Sequence, residues 1–141
     1  MDFQAFADFL AFQLGVPCPT VRYASKLATQ TQLAAMDPDS LVLTLRRSAS
    51  DLDKAFSVAH ELRHLWQHRT GRFSFSSHAA PGTLSHIDYN NQPDEIDANA
   101  FAALIMEMCF GVHPTFSGLS PDLVAKIKHQ KEMILQEEFK S

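Results

Sequence analysis

Residues 60–64 read His60-Glu61-Leu62-Arg63-His64, and this HExxH pattern is the part of the chain that says most about its fold. At about 100° of rotation per residue, the two histidines lie about 40° apart on a helix surface, one turn from each other. Both imidazoles can therefore bind one metal ion, with Zn–N distances of about 2.1 Å. Glu61 is rotated by about 100° from His60 and stands beside the ion, where a base for an activated water is needed. The pattern predicts a zinc site with His60 and His64 as ligands and Glu61 as the general base.

The pattern falls in the middle of a long predicted helix, from about residue 52 to residue 69. Ser50 followed by Asp53 resembles a capping arrangement at its start, and Gly71 ends it. An apolar face points away from the two histidines and consists of Val58, Leu62 and Leu65. A core helix that also presents metal ligands needs this two-sided pattern.

The rest of the chain predicts an α+β fold. Further helices are predicted at residues 2–14, at residues 93–110 and after residues 120–122. Strand candidates lie at residues 20–23, 31–35 and 41–45. We expect about three strands to form a small antiparallel or mixed sheet that packs against the HExxH helix. Residues 71–92 are rich in Ser, Gly, Asn and Pro and are predicted to be a loop.

Composition narrows the class of protein. The 141 residues suit one domain, which we expect to span residues 1–141. The net charge of −4 and the lack of a Lys/Arg block argue against direct nucleic-acid binding. No apolar run reaches the length of a membrane span, and the start of the chain lacks the features of a signal peptide. Two cysteines are too few for a disulfide framework, so we expect reduced thiols in or near the core of a cytoplasmic protein.

A catalytic zinc usually has three protein ligands and one open position, so a third ligand is needed. The best candidate is Glu95, in the first turn of the next predicted helix, with Asp94 and Asp97 as rivals. Asp97 is shorter and points about 200° away from Glu95 around the helix. Asn99, one turn after Glu95, could hold a ligating group by a hydrogen bond.

Two motifs in this order resemble the ImmA/IrrE family of zinc peptidases. The first is the HExxH pattern, and the second is Glu95-Ile96-Asp97-Ala98-Asn99-Ala100-Phe101-Ala102. The resemblance covers roughly residues 40 to 110. This sequence departs from the family in the long segment between the motifs and in lacking a helix-turn-helix region.

The resemblance implies a zincin-like fold and a thermolysin-related centre in which Glu95 is the third ligand. It also implies that Phe101 and its alanine neighbours pack the second-motif helix against the HExxH helix. Family members act on repressor-like regulatory proteins, so a protein or peptide substrate is expected, such as a transcriptional repressor. The strand at residues 41–45 could offer an edge to that substrate. Tyr89 and His86 are the candidates for stabilising the oxyanion.

These observations lead to an expected function and two alternatives. The expected function is that of a zinc-dependent, site-specific endopeptidase. The first alternative is a zinc-containing module that binds and sequesters a regulatory protein without cutting it. The second is a helical protein in which HExxH occurs by chance, and which would hold no metal. The oligomeric state stays open.

Overall fold

The computed structural model describes residues 1–72 and 85–139, apart from the side chains of His86 and Ile87. The described elements follow the order α1 (Phe3–Leu14), β1 (Thr20–Ala24), β2 (Ala34–Asp37), β3 (Val42–Arg46), α2 (Asp51–Thr70), α3 (His86–Asn90), α4 (Pro93–Phe110) and α5 (Pro121–Glu138). The predicted α+β class, with one small sheet and several helices, is confirmed.

The sheet is mixed, with the strand order β1-β3-β2. β1 runs parallel to β3, while β2 runs antiparallel to it. The expectation that residues 41–45 offer an edge to a substrate is wrong, because β3 is the central strand and is paired on both sides. β2 is an edge strand of the described sheet, and its register places Ala34 opposite Leu45 and Asp37 opposite Val42.

The ends of α2 are set by local chemistry, as the sequence predicts. The side chain of Ser50 accepts a hydrogen bond of 3.1 Å from the backbone N–H of Asp53. This bond satisfies one of the N–H groups that a helix N-terminus leaves without a partner. Gly71 follows the helix with φ 69°, a left-handed conformation that costs glycine little.

α2 lies at the centre of the molecule and packs against α1, α4, β2 and β3. Its predicted apolar face is fully buried, together with Leu43 and Leu45 of the central strand. α4 is buried nearly all round because α2 covers one side and α5 the other. Phe101 is buried in this layer and faces the Arg63 guanidinium of α2 at 5.0 Å from its ring centroid. The predicted packing of the second-motif helix on the HExxH helix is thus confirmed.

Three further expectations need correction. The segment predicted as one loop contains the short helix α3, and its residues 73–84 lie outside the described part of the chain. The second strand begins three residues later than predicted, at Ala34. Cys18 and Cys109 are free, as expected, but both are exposed instead of lying in the core.

None of the described helices is long and apolar enough to cross a bilayer.

Candidate metal centre

The two histidines of the HExxH pattern meet on one side of α2. The Nε2 atoms of His60 and His64 lie 3.1 Å apart, and their rings meet edge to face. Their side chains are 16% and 14% exposed, so both rings lie mostly inside the protein with access to one region of the surface. The i, i+4 spacing brings the two ring nitrogens together, as expected for neighbouring turns of a helix.

Glu95 joins them from the first turn of α4. Its Oε1 lies 3.1 Å from His60 Nε2, and its Oε2 lies 2.6 Å from His64 Nε2. The carboxylate is only 2% exposed. Pro93 begins α4, and the electropositive end of the helix favours a carboxylate in this turn.

This donor set fits a divalent metal ion. The ligand atoms of His60, His64 and Glu95 all lie within 4.8 Å of one another. Two ligands of a tetrahedral zinc ion are about 3.3 Å apart, given bonds of about 2.0–2.1 Å. Two of the observed separations, both 3.1 Å, are close to that value, while the 2.6 Å between His64 Nε2 and Glu95 Oε2 would have to lengthen as the ion enters. Two imidazoles and one carboxylate, with a fourth position left open, are a ligand set found in catalytic zinc sites.

The electrostatics of the three groups are tightly coupled. Burial acts to lower the pKa of His64, but the hydrogen bond to Glu95 and the charge of Glu95 outweigh it and raise that pKa to about 9. Burial acts to raise the pKa of Glu95, but His60 and His64 hold it well below its ordinary value. Glu95 is therefore an anion at any physiological pH, which suits a ligand for a cation.

Two clefts meet at this centre. One of about 240 Å³ lies on the His64 side and includes Met36, and the other, of about 440 Å³, lies on the His60 side and includes Ala34. The residues common to both clefts are Gln32, Glu61, Tyr89 and Glu95. Glu61 is partly buried at this junction, and its charge contributes to the raised pKa values of His64 and Tyr89.

Tyr89 reaches the centre from α3. Burial, followed by the charges of Glu95 and Glu61, raises the pKa of its phenol above the ordinary value, and the side chain is hydrogen-bonded to Glu95. The phenol therefore stays protonated and acts as a hydrogen-bond donor. α3 is tied to α4 by a 3.0 Å bond from Asn99 Nδ2 to Asn90 Oδ1, next to Tyr89. Asn99 therefore positions α3. The sequence suggested that it could hold a metal-ligating side chain, but this hydrogen bond goes to Asn90 instead.

The two rival ligands and the second oxyanion candidate remain to be placed. Asp97 is buried but faces away from the centre and pairs with Arg63, at 2.7 Å between Oδ2 and Nε. The backbone oxygen of Asp94 accepts a bond from Gln67. The backbone of His86 begins α3, but its side chain lies outside the described part of the chain, and its predicted role stays a prediction.

Sequence reasoning overlooked Gln67. This residue is fully buried and contacts His64, with 2.8 Å between Gln67 Oε1 and His64 Nδ1. The sequence feature that could have indicated this role is the position of Gln67 three residues after His64, on the same side of the helix. A glutamine at that spacing from a metal-ligating histidine can accept a hydrogen bond from its other ring nitrogen.

Comparison with known proteins gives a family match. The family described as Peptidase_M78, IrrE N-terminal-like domain, matches residues 19–108, which include the HExxH pattern, Glu95 and Tyr89. No curated protein and no solved structure matches the chain significantly.

Proposed function

Since the chain belongs to the IrrE N-terminal-like family of peptidases, the ImmA/IrrE family, we propose that it is a zinc-dependent endopeptidase that cuts a protein substrate. The observation that carries this proposal is the convergence of two histidines, a buried carboxylate and a second carboxylate at the junction of two clefts. Zinc, once bound by His60, His64 and Glu95, would activate a water molecule and polarise the scissile carbonyl.

Glu61 is the proposed general base. It follows His60 directly on α2 and lines both clefts, so a water molecule between the clefts lies within its reach. Glu61 accepts the proton of that water and passes it to the nitrogen of the leaving amine.

Tyr89 is the proposed donor to the oxyanion. Its phenol stays protonated and lies at the junction of the clefts. The single O–H of Tyr89, which here is bonded to Glu95, would turn to the carbonyl oxygen and stabilise the charge that develops there. The bond between Asn99 and Asn90 holds the short helix that carries Tyr89.

The substrate is proposed to bind as an extended segment along β2. The backbone N–H of Arg46 donates to Leu33 O at 2.8 Å, so by alternation the backbone groups of Ala34 and Met36 point away from β3. An added strand can pair with such an edge once the side chain of Gln32, which donates to Ala34 O at 3.0 Å, moves aside, and its side chains then enter pockets on either side. The two clefts extend from the centre along this edge, one past Met36 and one past Ala34. We propose a regulatory protein, such as a transcriptional repressor, as the source of that segment.

A cleavage assay tests the peptidase activity. The zinc-loaded protein is incubated with a peptide library of defined composition, and new termini are identified by mass spectrometry. Wild type should produce cuts at a preferred sequence, and these should disappear in Glu61→Gln and on addition of a chelator. The Glu61→Gln variant should still bind zinc, because Glu61 is not among the proposed ligands.

The same variant separates a peptidase from a zinc-containing binding module. A binding module would retain a regulatory partner equally well in the wild-type protein and in the Glu61→Gln variant. Cuts that persist in Glu61→Gln, or zinc-loaded wild type that cuts no library member, would contradict the proposed activity.

A further inference from the structure

The ring nitrogens of His60 and His64 that face away from the centre have unequal surroundings. His64 Nδ1 lies 2.8 Å from Gln67 Oε1. His60 Nδ1 is buried and has no hydrogen-bond partner within the described part of the chain. On this side of its ring, His60 is positioned by packing, since the ring stacks on Phe56 with 6.1 Å between centroids. Only His64 is therefore held by a specific polar contact at this nitrogen.

The side-chain amide of Gln67 can take only one orientation. Its Nε2 donates to Asp94 O at 2.9 Å and to Asp97 Oδ2 at 2.8 Å. Both partners are acceptors, so the nitrogen must face them and Oε1 must face His64. Gln67 Oε1 is an acceptor, so His64 Nδ1 must be the donor in this contact. The lone pair available for a metal is then on His64 Nε2, the atom that faces Glu95 and His60.

Gln67 is itself held by a buried ion pair. Arg63, which is fully buried, donates to Asp97 from Nε at 2.7 Å and from Nη2 at 3.0 Å. Its guanidinium also bonds the carboxylate of Glu138 at 2.8 and 2.7 Å and lies 3.7 Å from the centroid of the Trp66 ring. Bidentate contacts of this kind fix geometry as well as adding energy. Asp97 consequently has little freedom to move away from Gln67.

We propose that Gln67 is the positioning residue of His64, fixing its tautomer and ring orientation for metal binding. This inference rests on the proposed metal site and adds a residue to it. Metal-ligating histidines are commonly oriented by a partner on the other ring nitrogen, and loss of such a partner costs about 10- to 100-fold in metal affinity. Through Arg63, the arrangement extends to Glu138 at the end of α5, outside the residues that match the family.

Gln130 provides a matched control. It is also a glutamine, and its Nε2 donates to the same carboxylate, Asp97 Oδ1, at 3.0 Å. It lies on α5, and this hydrogen bond joins it to Asp97 and not to His64. Methionine has nearly the shape of glutamine without its hydrogen bonds, so Gln67→Met and Gln130→Met each remove one amide that contacts Asp97. Only the first removes the contact with His64.

The test measures zinc affinity by competition with a chelator, using the full chain. Gln67→Met should bind zinc about 10- to 100-fold more weakly than wild type, while Gln130→Met should stay within about threefold. Gln67→Glu keeps an acceptor oxygen for His64 but places a carboxylate beside Asp97. It should therefore retain zinc affinity although its thermal midpoint falls. Equal zinc affinities of Gln67→Met and Gln130→Met would overturn the inference.

A measurement on the zinc-loaded wild-type protein covers the case in which Gln67→Met does not fold. Nitrogen NMR of the imidazoles, assigned with His64→Ala, should show a slowly exchanging proton on His64 Nδ1. Zinc bound to Nδ1, or a fast-exchanging proton there, would overturn the inference. If wild type binds no zinc, the proposed metal site fails as well. If it binds zinc and only the Gln67 results disagree, the metal site stands and the positioning role does not.

Discussion

The buried ion pair between α2 and α4 leads to a quantitative prediction for Arg63→Met. Arg63 and Asp97 are 0% and 1% exposed, so the variant leaves a buried carboxylate without its cationic partner. Breaking a buried pair in this way costs about 3–5 kcal/mol. Gln67 and Gln130 still donate to Asp97, which places the expected loss near the lower end, at about 3 kcal/mol. Glu138 adds little, because its side chain is 28% exposed and can be hydrated.

Urea unfolding followed by circular dichroism measures this loss. A chelator is included so that metal binding does not contribute to the free energy of unfolding. Arg69→Met is the control, since Arg69 is an exposed arginine on the same helix, and its free energy of unfolding should change by less than about 0.5 kcal/mol. Glu138→Gln should cost at most about 1 kcal/mol. The reasoning is refuted if Arg63→Met loses no more stability than Arg69→Met.

Three further predictions concern catalysis and pH. Tyr89→Phe should lower kcat by about 10²-fold with little change in KM, because it removes a donor to the transition state, and steady-state kinetics on a cleaved peptide would check this. The apparent zinc affinity should rise from pH 6 towards pH 9, because His64, with its pKa of about 9, must lose a proton to bind the metal. Competition with a chelator at several pH values measures this affinity. A zinc affinity that does not change with pH would argue against His64 as a ligand. Burial acts to raise the pKa of Asp97, but the hydrogen bonds from Arg63 outweigh it and lower that pKa. The ionised Asp97 therefore contributes its full stabilisation above its ordinary pKa of 3.8, and this stabilisation is lost as the pH falls below 3.8. Between pH 5 and pH 3, wild type should therefore lose more unfolding free energy than Arg63→Met, and equal losses would contradict this.

Much of the fold could be predicted because its signals are local. The helical spacing of apolar residues and the caps at Ser50 and Gly71 placed α2 within a residue of its observed bounds. The predicted bounds of α4 agree with those observed, since Pro93 and Gly111 mark its ends. The spacing of His60 and His64 is likewise local. These features depend on backbone geometry within one or two turns, which a single sequence records.

The features that sequence reasoning missed depend on non-local contacts. In the sheet β1 lies on one side of β3 and β2 on the other, so the central strand is the last of the three in the sequence. The residues of the strand at 41–45 carry no signal of this order. α3 is only five residues long, too short for a periodic pattern. The Arg63–Asp97 pair joins residues 34 positions apart, so Arg63 looked like an ordinary polar residue inside the HExxH pattern. Its burial, and the role of Gln67 beside it, follow from the packing of α2 against α4.

The most direct test of the metal centre is the zinc content of the purified protein. Elemental mass spectrometry would compare wild type with His64→Ala and Glu95→Ala, all prepared without added metal or a histidine tag. His113→Ala is the control, because it removes a histidine that is 80% exposed and bonded to Glu107 instead of to the centre. Wild type and His113→Ala should contain about one zinc ion per chain, and the other two variants close to none. Wild type without zinc after reconstitution, or full zinc retention by His64→Ala and Glu95→Ala, would contradict the account.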